Sequence, residues 1–199
     1  TSYITRASFE GMGLPVAVTW VLHAKAPSKH LAEVEIPGVG KISDGFDGAV
    51  AWSKTPFTGL RIKEGQELAK IKADAVLNRD LNLQTVYTNL TLKGTETVNG
   101  VSTDVLESKA AEGNIERLFI DSKTGLTVRQ ESEFDSSEGR VKVVLDFSDY
   151  RAVDGVKYPH SLKFNVTVPE QPSADFTVTV KEIQPNAVID DGRFARPSA

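Results

Sequence analysis

The chain of 199 residues has no cysteine, which excludes disulfides, thiolate catalysis, a cysteine-ligated zinc site and a lipidated N-terminal cysteine. The compartment stays open on that ground, because exported domains with a sufficient core need no disulfide. Nor is there an apolar run near the roughly 20 residues that span a bilayer, or a basic-then-apolar leader, so no transmembrane segment is expected. Thr1 opens directly onto strand-like sequence over residues 2–10, and a leader or linker is expected to have been removed ahead of it. Basic residues are in deficit, 23 against 27 acidic, for a net charge of -4. A nucleic-acid partner, which requires a clustered basic face, is not expected.

Catalytic signatures are missing too. No G-x-S-x-G, P-loop, G-x-G-x-x-G or EF-hand loop occurs. The three histidines, His23, His30 and His160, stand far apart without H-x-H or H-E-x-x-H spacing, so neither a metal nor any other cofactor is expected. Carboxylates pair at Asp44 and Asp47, Asp146 and Asp149, and Asp190 and Asp191. An acid–base couple would need two of them facing one cleft with their pKa values pushed apart. The first pair is expected to cap amides in Asp-Gly turns, and the last to lie in a loose tail. Asn89-Leu90-Thr91 and Asn165-Val166-Thr167 match the N-glycosylation triplet, a pattern common by chance.

What the sequence does have is alternation with period two, which sends successive side chains to opposite faces of a sheet. Val141, Val143, Leu145 and Phe147 share one phase, with Lys142, Asp146 and Ser148 on the other. Tyr158, Leu162, Phe164, Val166 and Val168 repeat the pattern, as do Phe176, Val178 and Val180, and upstream Val16, Val18, Trp20 and Leu22. Turn signals separate these runs: GMG at 11–13, PGVG at 37–40, DG at 44–45, 47–48 and 154–155, NG at 99–100, TG at 124–125 and SSEG at 136–139. The fold class is therefore mainly β, about ten antiparallel strands joined by short turns.

One stretch breaks the alternation. From Glu64 to about Asp80, Leu68, Ile71 and Ala75 fall at helical spacing among strong helix formers. A long antiparallel meander with one amphipathic helix must cover its apolar face. A curled half-barrel with the helix as a lid over its open side satisfies this better than a sandwich, and no composition shift divides residues 1–199 into more than one domain. Such a concavity is hard to fill, and an incompletely filled apolar concavity is a ligand site. The expected cavity wall is Trp20, Trp52, Leu145, Phe147, Phe164, Val166 and Val178, closed by Leu68 and Ile71.

Several segments together resemble the LolA/LolB-like periplasmic lipoprotein-carrier superfamily. They are GFDGAVAW (45–52) followed by the helix, LKGTETVNGVSTDVLE (92–107), LFIDSKTGLTVRQE (118–131), DYRAVDGVKYPH (149–160) and NAVIDDGRFARP (186–197). The likeness runs over nearly the whole chain and is nearest to exported outer-membrane lipoprotein-sorting-like proteins of bacteria. It implies an open antiparallel half-barrel, a helical lid, a hydrophobic cavity between them and residence in the periplasm. Within DYRAVDGVKYPH, Asp154-Gly155 is then a hairpin turn, Val156 and Tyr158 start a strand, Pro159 fits an edge or bend, and His160 has no assigned partner.

The expected function is binding of a lipid, or of the acyl chain of a lipoprotein, without catalysis. An alternative is an interaction or accessory domain with a filled core, part of a longer exported chain. A third reading, a hydrolase using Asp146, Asp149 or His160, has no motif behind it.

Overall fold

The computed structural model describes residues 1–11, 13, 17–87, 89–109 and 113–197; Met12 of the first turn signal and Val16 of the upstream alternation lie outside them. The chain opens with six strands: β1 (Ser2–Gly11), β2 (Val18–Lys25), β3 (Lys29–Ile36), β4 (Gly40–Phe46), β5 (Ala51–Thr55) and β6 (Gly59–Lys63). A helical segment follows, made of α1 (Gly65–Asp74), a 3-10 turn (Arg79–Leu81) and the short α2 (Leu83–Val86). Seven more strands complete the sheet: β7 (Thr91–Val98), β8 (Val101–Lys109), β9 (Ile115–Asp121), β10 (Thr127–Ser136), β11 (Gly139–Val153), β12 (Val156–Thr167) and β13 (Ala174–Pro185). A second 3-10 turn, Asp191–Phe194, lies in the C-terminal segment.

All these strands form one open sheet in the order β6-β5-β4-β3-β2-β1-β13-β12-β11-β10-β9-β8-β7, antiparallel throughout. Thirteen strands replace the expected ten or so. The difference comes from strands that carry no readable alternation. β5 and β6 are five residues each, and β7 is exposed at every position but Val98, so neither face imposes an apolar phase. The helix is also shorter than the expected 64–80. It ends at Asp74, and Asn78 at φ 53 turns the chain left-handed before the 3-10 turn.

Where alternation is strong, it sets the register. Val143 pairs with Val166, Leu145 with Phe164 and Phe147 with Leu162 across β11 and β12; Leu162 faces Val178 and Phe164 faces Phe176 across β12 and β13. Continuing outward, Phe9 pairs with both Val178 and Val18, and Ala7 with both Val180 and Trp20. The apolar phases thus line up on a single inner face, because a one-residue slip would turn each set to water. Ala7, Phe9, Val18, Val178 and Val180 form its buried core, over which the rings of Phe164 and Phe176 stack with centroids 4.5 Å apart.

Topology explains why a helix crosses this face. β6 and β7 are the two edges of the sheet, so the chain joining them must travel from one edge to the other. The sheet curls to shorten that path: Arg61 on edge strand β6 reaches Ser137 in the β10–β11 turn at 3.5 Å. Bulges between Arg6 and Ala7, and between Thr127 and Arg129, add local twist of the kind that bends a sheet.

The opposite, back face has its own small core. Leu31 and Trp52 pack there with Ala187, Ile189 and Phe194 of the C-terminal segment, beside Leu60 and Ile62. The indole of Trp52 donates to the Phe194 carbonyl at 3.2 Å and lies over Gly45, where a Cβ would come within 2.3 Å of the ring. Asp44-Gly45 is accordingly inside β4 rather than at a turn, and Asp44 pairs with Lys63 instead of capping amides. Asp47 does cap, accepting from the amides of Ala49 and Val50. Nor is the tail loose: Asp190 accepts from the Gly192 amide, and Asp191 pairs with Lys25 at 2.7 Å and Lys29 at 3.0 Å. The apolar spacing of Ala187, Ile189 and Phe194 gives that segment something to bury.

Candidate functional site

The helix sits on the inner face with two unlike flanks. On one, Leu68 and Ile71 pack with Ala75 against Phe46 of β4 and Ala51 of β5. On the other, the contacts are polar. Gln66 and Asp135 of β10 exchange two hydrogen bonds of 2.9 Å, and Asn114 donates to the Gln66 carbonyl at 3.0 Å. Beyond the helix the Leu77 amide donates to the Pro27 carbonyl in the β2–β3 turn at 3.1 Å.

The strongest tie is an ion-pair network around Arg79. Its guanidinium meets Asp74, donates to Gln130, and lies 3.4 Å from Glu116 on β9. Glu116 also accepts from Tyr87 and from Gln130, with Lys70 at 3.8 Å. The side chains of Arg79 and Glu116 are only 12% and 8% exposed, so little water is left to replace a lost partner. Burial opposes the charge on Arg79, but Asp74, Tyr87 and Glu116 outweigh it and hold the guanidinium above its ordinary range. Burial likewise pushes the Tyr87 phenol up. The helix is therefore a strap, apolar toward β4 and β5, tied by Glu67 to Arg61 of β6 at 2.6 Å, and latched by charge toward β9 and β10.

Under the strap lies a half-open groove of about 600 Å³. Its sheet wall includes Trp20, Leu22, Leu145, Phe147, Leu162 and Phe164, and its roof Ile71, Val76 and the exposed Leu81. Each of the six wall residues is only half-buried, although all lie on the inner face. At the far end Tyr3 and Tyr158 meet edge to face at 6.1 Å. Burial, with help from Tyr158 and Asp80, raises the Tyr3 phenol to about 12, so it stays a neutral hydroxyl. Lys63, Glu67, Lys70, Asp74 and Arg79 line the polar margin.

Of the residues the sequence points to, Trp20, Ile71, Leu145, Phe147 and Phe164 line this groove together. Leu68 is one step away in the strap's apolar flank, and Val178 is in the buried core beneath Phe164 and Phe176. Val166, half-buried, shares the inner phase of β12 but is not among the lining residues. Trp52 stands apart on the back face, because Ala51 and Trp52 are both buried and the strand gives no cue to which face is inward. Sequence reasoning passes over Tyr3, Tyr150, Arg79, Glu116 and Gln130. Phe147 and Tyr150 both line the groove because Asp149, at φ 54, shifts the phase between them. Glu116 and Gln130 are polar residues on the inner phase, for which periodicity gives no warning.

The candidate catalytic groups are otherwise engaged. Asp146 is held by Arg129 at 2.6 and 2.9 Å, and Asp149 by Arg151 at 2.6 and 3.0 Å. Each arginine holds its carboxyl below the usual range rather than lifting it toward acid–base use. His160 is buried with Nδ1 3.0 Å from the Tyr158 carbonyl. His23 is on the back-face phase, opposite Leu31, while His30 faces inward opposite Phe46. Among the described residues no three His, Cys, Asp or Glu side chains gather as a metal-ligand set.

His30 gives the structure a pH dependence. Burial depresses its pKa below the ordinary 6.5, with Asp74 and Asp44 opposing the shift and Lys63 assisting it; His23 is lowered in the same direction by burial and Arg193. The unfolded chain then binds more protons than the folded one just below 6.5, so stability is lost as pH falls through that value toward the folded pKa. Denaturant midpoints measured between about pH 7 and 5 should decline, and His30→Gln should flatten part of the slope.

No protein-family model matches the chain, and no curated protein matches it. Solved structures do. A DUF1329 family protein from Desulfovibrio piger matches with a TM-score of 0.63 at 18% identity, over 98% of this chain and 89% of that one. A LolA superfamily protein from Nitrosomonas europaea matches with a TM-score of 0.62 at 12% identity, over 98% and 90%. An outer membrane lipoprotein-sorting protein domain from Vibrio parahaemolyticus matches with a TM-score of 0.58 at 11% identity, over 96% and 88%. At such identities the likeness is one of fold, and it extends over nearly all of each chain. The open antiparallel sheet crossed by a helical strap is a LolA/LolB-like fold.

Proposed function

We propose that this protein is a periplasmic, non-catalytic carrier that holds the acyl chain of a lipid or lipoprotein in the groove beneath the strap. The observation that carries the reading is the row Trp20, Leu22, Leu145, Phe147, Leu162 and Phe164, inner-face apolar side chains left half-buried beside the buried core of Ala7, Phe9, Val18, Val178 and Val180. Leaving such surface wet is unfavourable by about 25 cal/mol per Å², and an acyl chain gains about 0.8 kcal/mol for each methylene it buries there. A volume of about 600 Å³ is within the roughly 300–1,000 Å³ of ligand clefts. The resemblance to lipoprotein carriers supports the same cargo and the periplasm. A carrier must also release what it holds, and a strap held by ion pairs to β6 through Glu67 and Arg61 and to β9 through Arg79 and Glu116 can open without dismantling the sheet.

The packed-domain reading rests on a different observation. Phe9, Phe164 and Phe176 stack over buried Val178 and fill one end of the inner face. Native mass spectrometry of protein purified from a bacterial periplasm, with extracted lipids identified, separates the two. The carrier reading expects a co-purifying acylated species lost on strap variants. Protein that is ligand-free from the periplasm, and remains so after incubation with acyl lipids, would leave the packed domain.

A further inference from the structure

The groove beneath the strap has two unlike ends. Along β10, β11 and β12 its wall runs from Phe134, Ser132 and Val143 to Thr127, Tyr150 and Tyr158. None of the first three is exposed, and the first turn of α1 crosses that end: Gln66 donates to Asp135, takes Arg140 Nη1 at 3.4 Å on its side-chain oxygen, and accepts from Asn114 on its carbonyl. Lys63, Glu67 and Lys70, which line the groove from β6 and α1, are paired with Asp44, Arg61 and Asp74. At the other end Leu81, Gly125 and Lys157 are exposed, so the groove opens to water there. From Tyr150 back to Val143 the wall is about 20 Å long at roughly 3.3 Å per residue, the length of a long acyl chain in extended form.

Three phenols gather at the open end, and they differ. Tyr150 donates to the Thr127 carbonyl at 2.6 Å. Tyr3 and Tyr158 meet edge to face, but among the described residues neither hydroxyl has a hydrogen-bond partner, and neither is sealed off as a buried unpaired atom. Two hydroxyl donors therefore face the groove unused. An apolar groove that ends in unpaired donors suits an amphiphile with an acceptor at its head. The surrounding charges select no anionic head. Asp80 lies near Tyr3 and Asp154 near Tyr158; Arg79 is shared by Asp74, Asp80 and Glu116; Arg151, opposite Tyr158, is held by Asp149; and Lys157 stands at the rim. No surplus of positive charge marks this end, so the feature left to recognise is an acceptor oxygen.

On the carrier reading, we propose that Tyr3 and Tyr158 form the head subsite of the groove: their hydroxyls donate to the carbonyl oxygen of an acyl chain whose methyl end runs under the strap toward Val143 and Phe134. That orientation leaves the polar head at the open end, beside water, and gives the methylenes the apolar wall between. The same carbonyl chemistry is available from a fatty-acid carboxylate and from an acyl ester.

The test is displacement of a fluorescent fatty acid by laurate and by methyl laurate. Tyr3→Phe and Tyr158→Phe should each weaken binding by about threefold to tenfold, the effect of one hydrogen bond, and leave the melting temperature unchanged, because no bond within the protein is lost. Tyr150→Phe should do the reverse, lowering the melting temperature through the lost Thr127 bond and sparing affinity. A loss for both ligands assigns acid and ester alike, and a loss for one alone assigns that head. Orientation is read from stearate spin-labelled near its carboxyl, which should broaden the amides of Tyr3, Leu126 and Val156 more than those of Phe134 and Val143. The proposal is overturned if either Phe variant at Tyr3 or Tyr158 binds both ligands as the wild type does, or if the near-carboxyl label broadens Phe134 and Val143 instead. Protein that binds neither ligand at all would contradict the carrier reading itself.

Discussion

Replacing Leu68 and Ile71 together by aspartate is expected to weaken binding of a fluorescent fatty acid by at least about tenfold while the sheet remains folded. Both residues pack against Phe46 and Ala51 along the strap's apolar flank, and Ile71 also forms part of the groove roof. Yet α1 itself has no buried residue, so the new carboxylates can reach water if the strap lifts. The sheet's ladder and its core around Val178 do not depend on that contact. A filled core would respond differently. Two unpaired charges buried in it would each cost several kcal/mol against a total stability of roughly 5 to 15 kcal/mol. Thermal melts followed by circular dichroism, run beside the titration, distinguish a folded protein that no longer binds from one that has unfolded.

The second large effect is expected at the latch. Arg79→Met leaves Glu116 and Asp74 with Lys70 as the cation they still share, so the loss should fall toward or below the lower end of the about 3–5 kcal/mol that breaking a buried ion pair on one side costs. Because Arg79 ties the strap to β9 and β10, the loss should appear as local opening. Amide exchange across residues 65–87 should accelerate, while amides of β11, β12 and β13 keep their protection. Arg79→Met/Glu116→Gln should recover part of the loss, since the partly unpaired charge is then removed as well. Uniform loss of protection across the sheet, or no recovery in the double variant, would show that the network supports the whole fold rather than the strap.

How much of this is legible in the sequence depends on the local signal. β11, β12 and β13 can be read directly, because Val143, Leu145, Phe147, Phe164 and Val178 alternate against polar residues and a slipped register would expose all of them. The Asp154-Gly155 turn is equally plain, with φ values of 47 and 79 that suit a tight hairpin. β7 is not legible, being exposed on both faces, and Trp52 is placed on the wrong side because its strand is buried on both. The latch escapes for a deeper reason. Arg79, Glu116 and Gln130 meet only once the sheet has curled and the strap has crossed it, and their separation in sequence carries no trace of that encounter. Trp20, Ile71, Leu145, Phe147 and Phe164 converge because each obeys its own element's period.

The central claim is that an acyl chain lies between the strap and the inner face. The most direct measurement is paramagnetic broadening of backbone amides by stearate spin-labelled near its methyl end. The account predicts loss of signal at Leu145, Phe147, Leu162 and Ile71, with the Trp52 indole on the back face unaffected and the pattern abolished by Leu68→Asp/Ile71→Asp. Broadening confined to the back face, or none at concentrations that saturate binding, would contradict it.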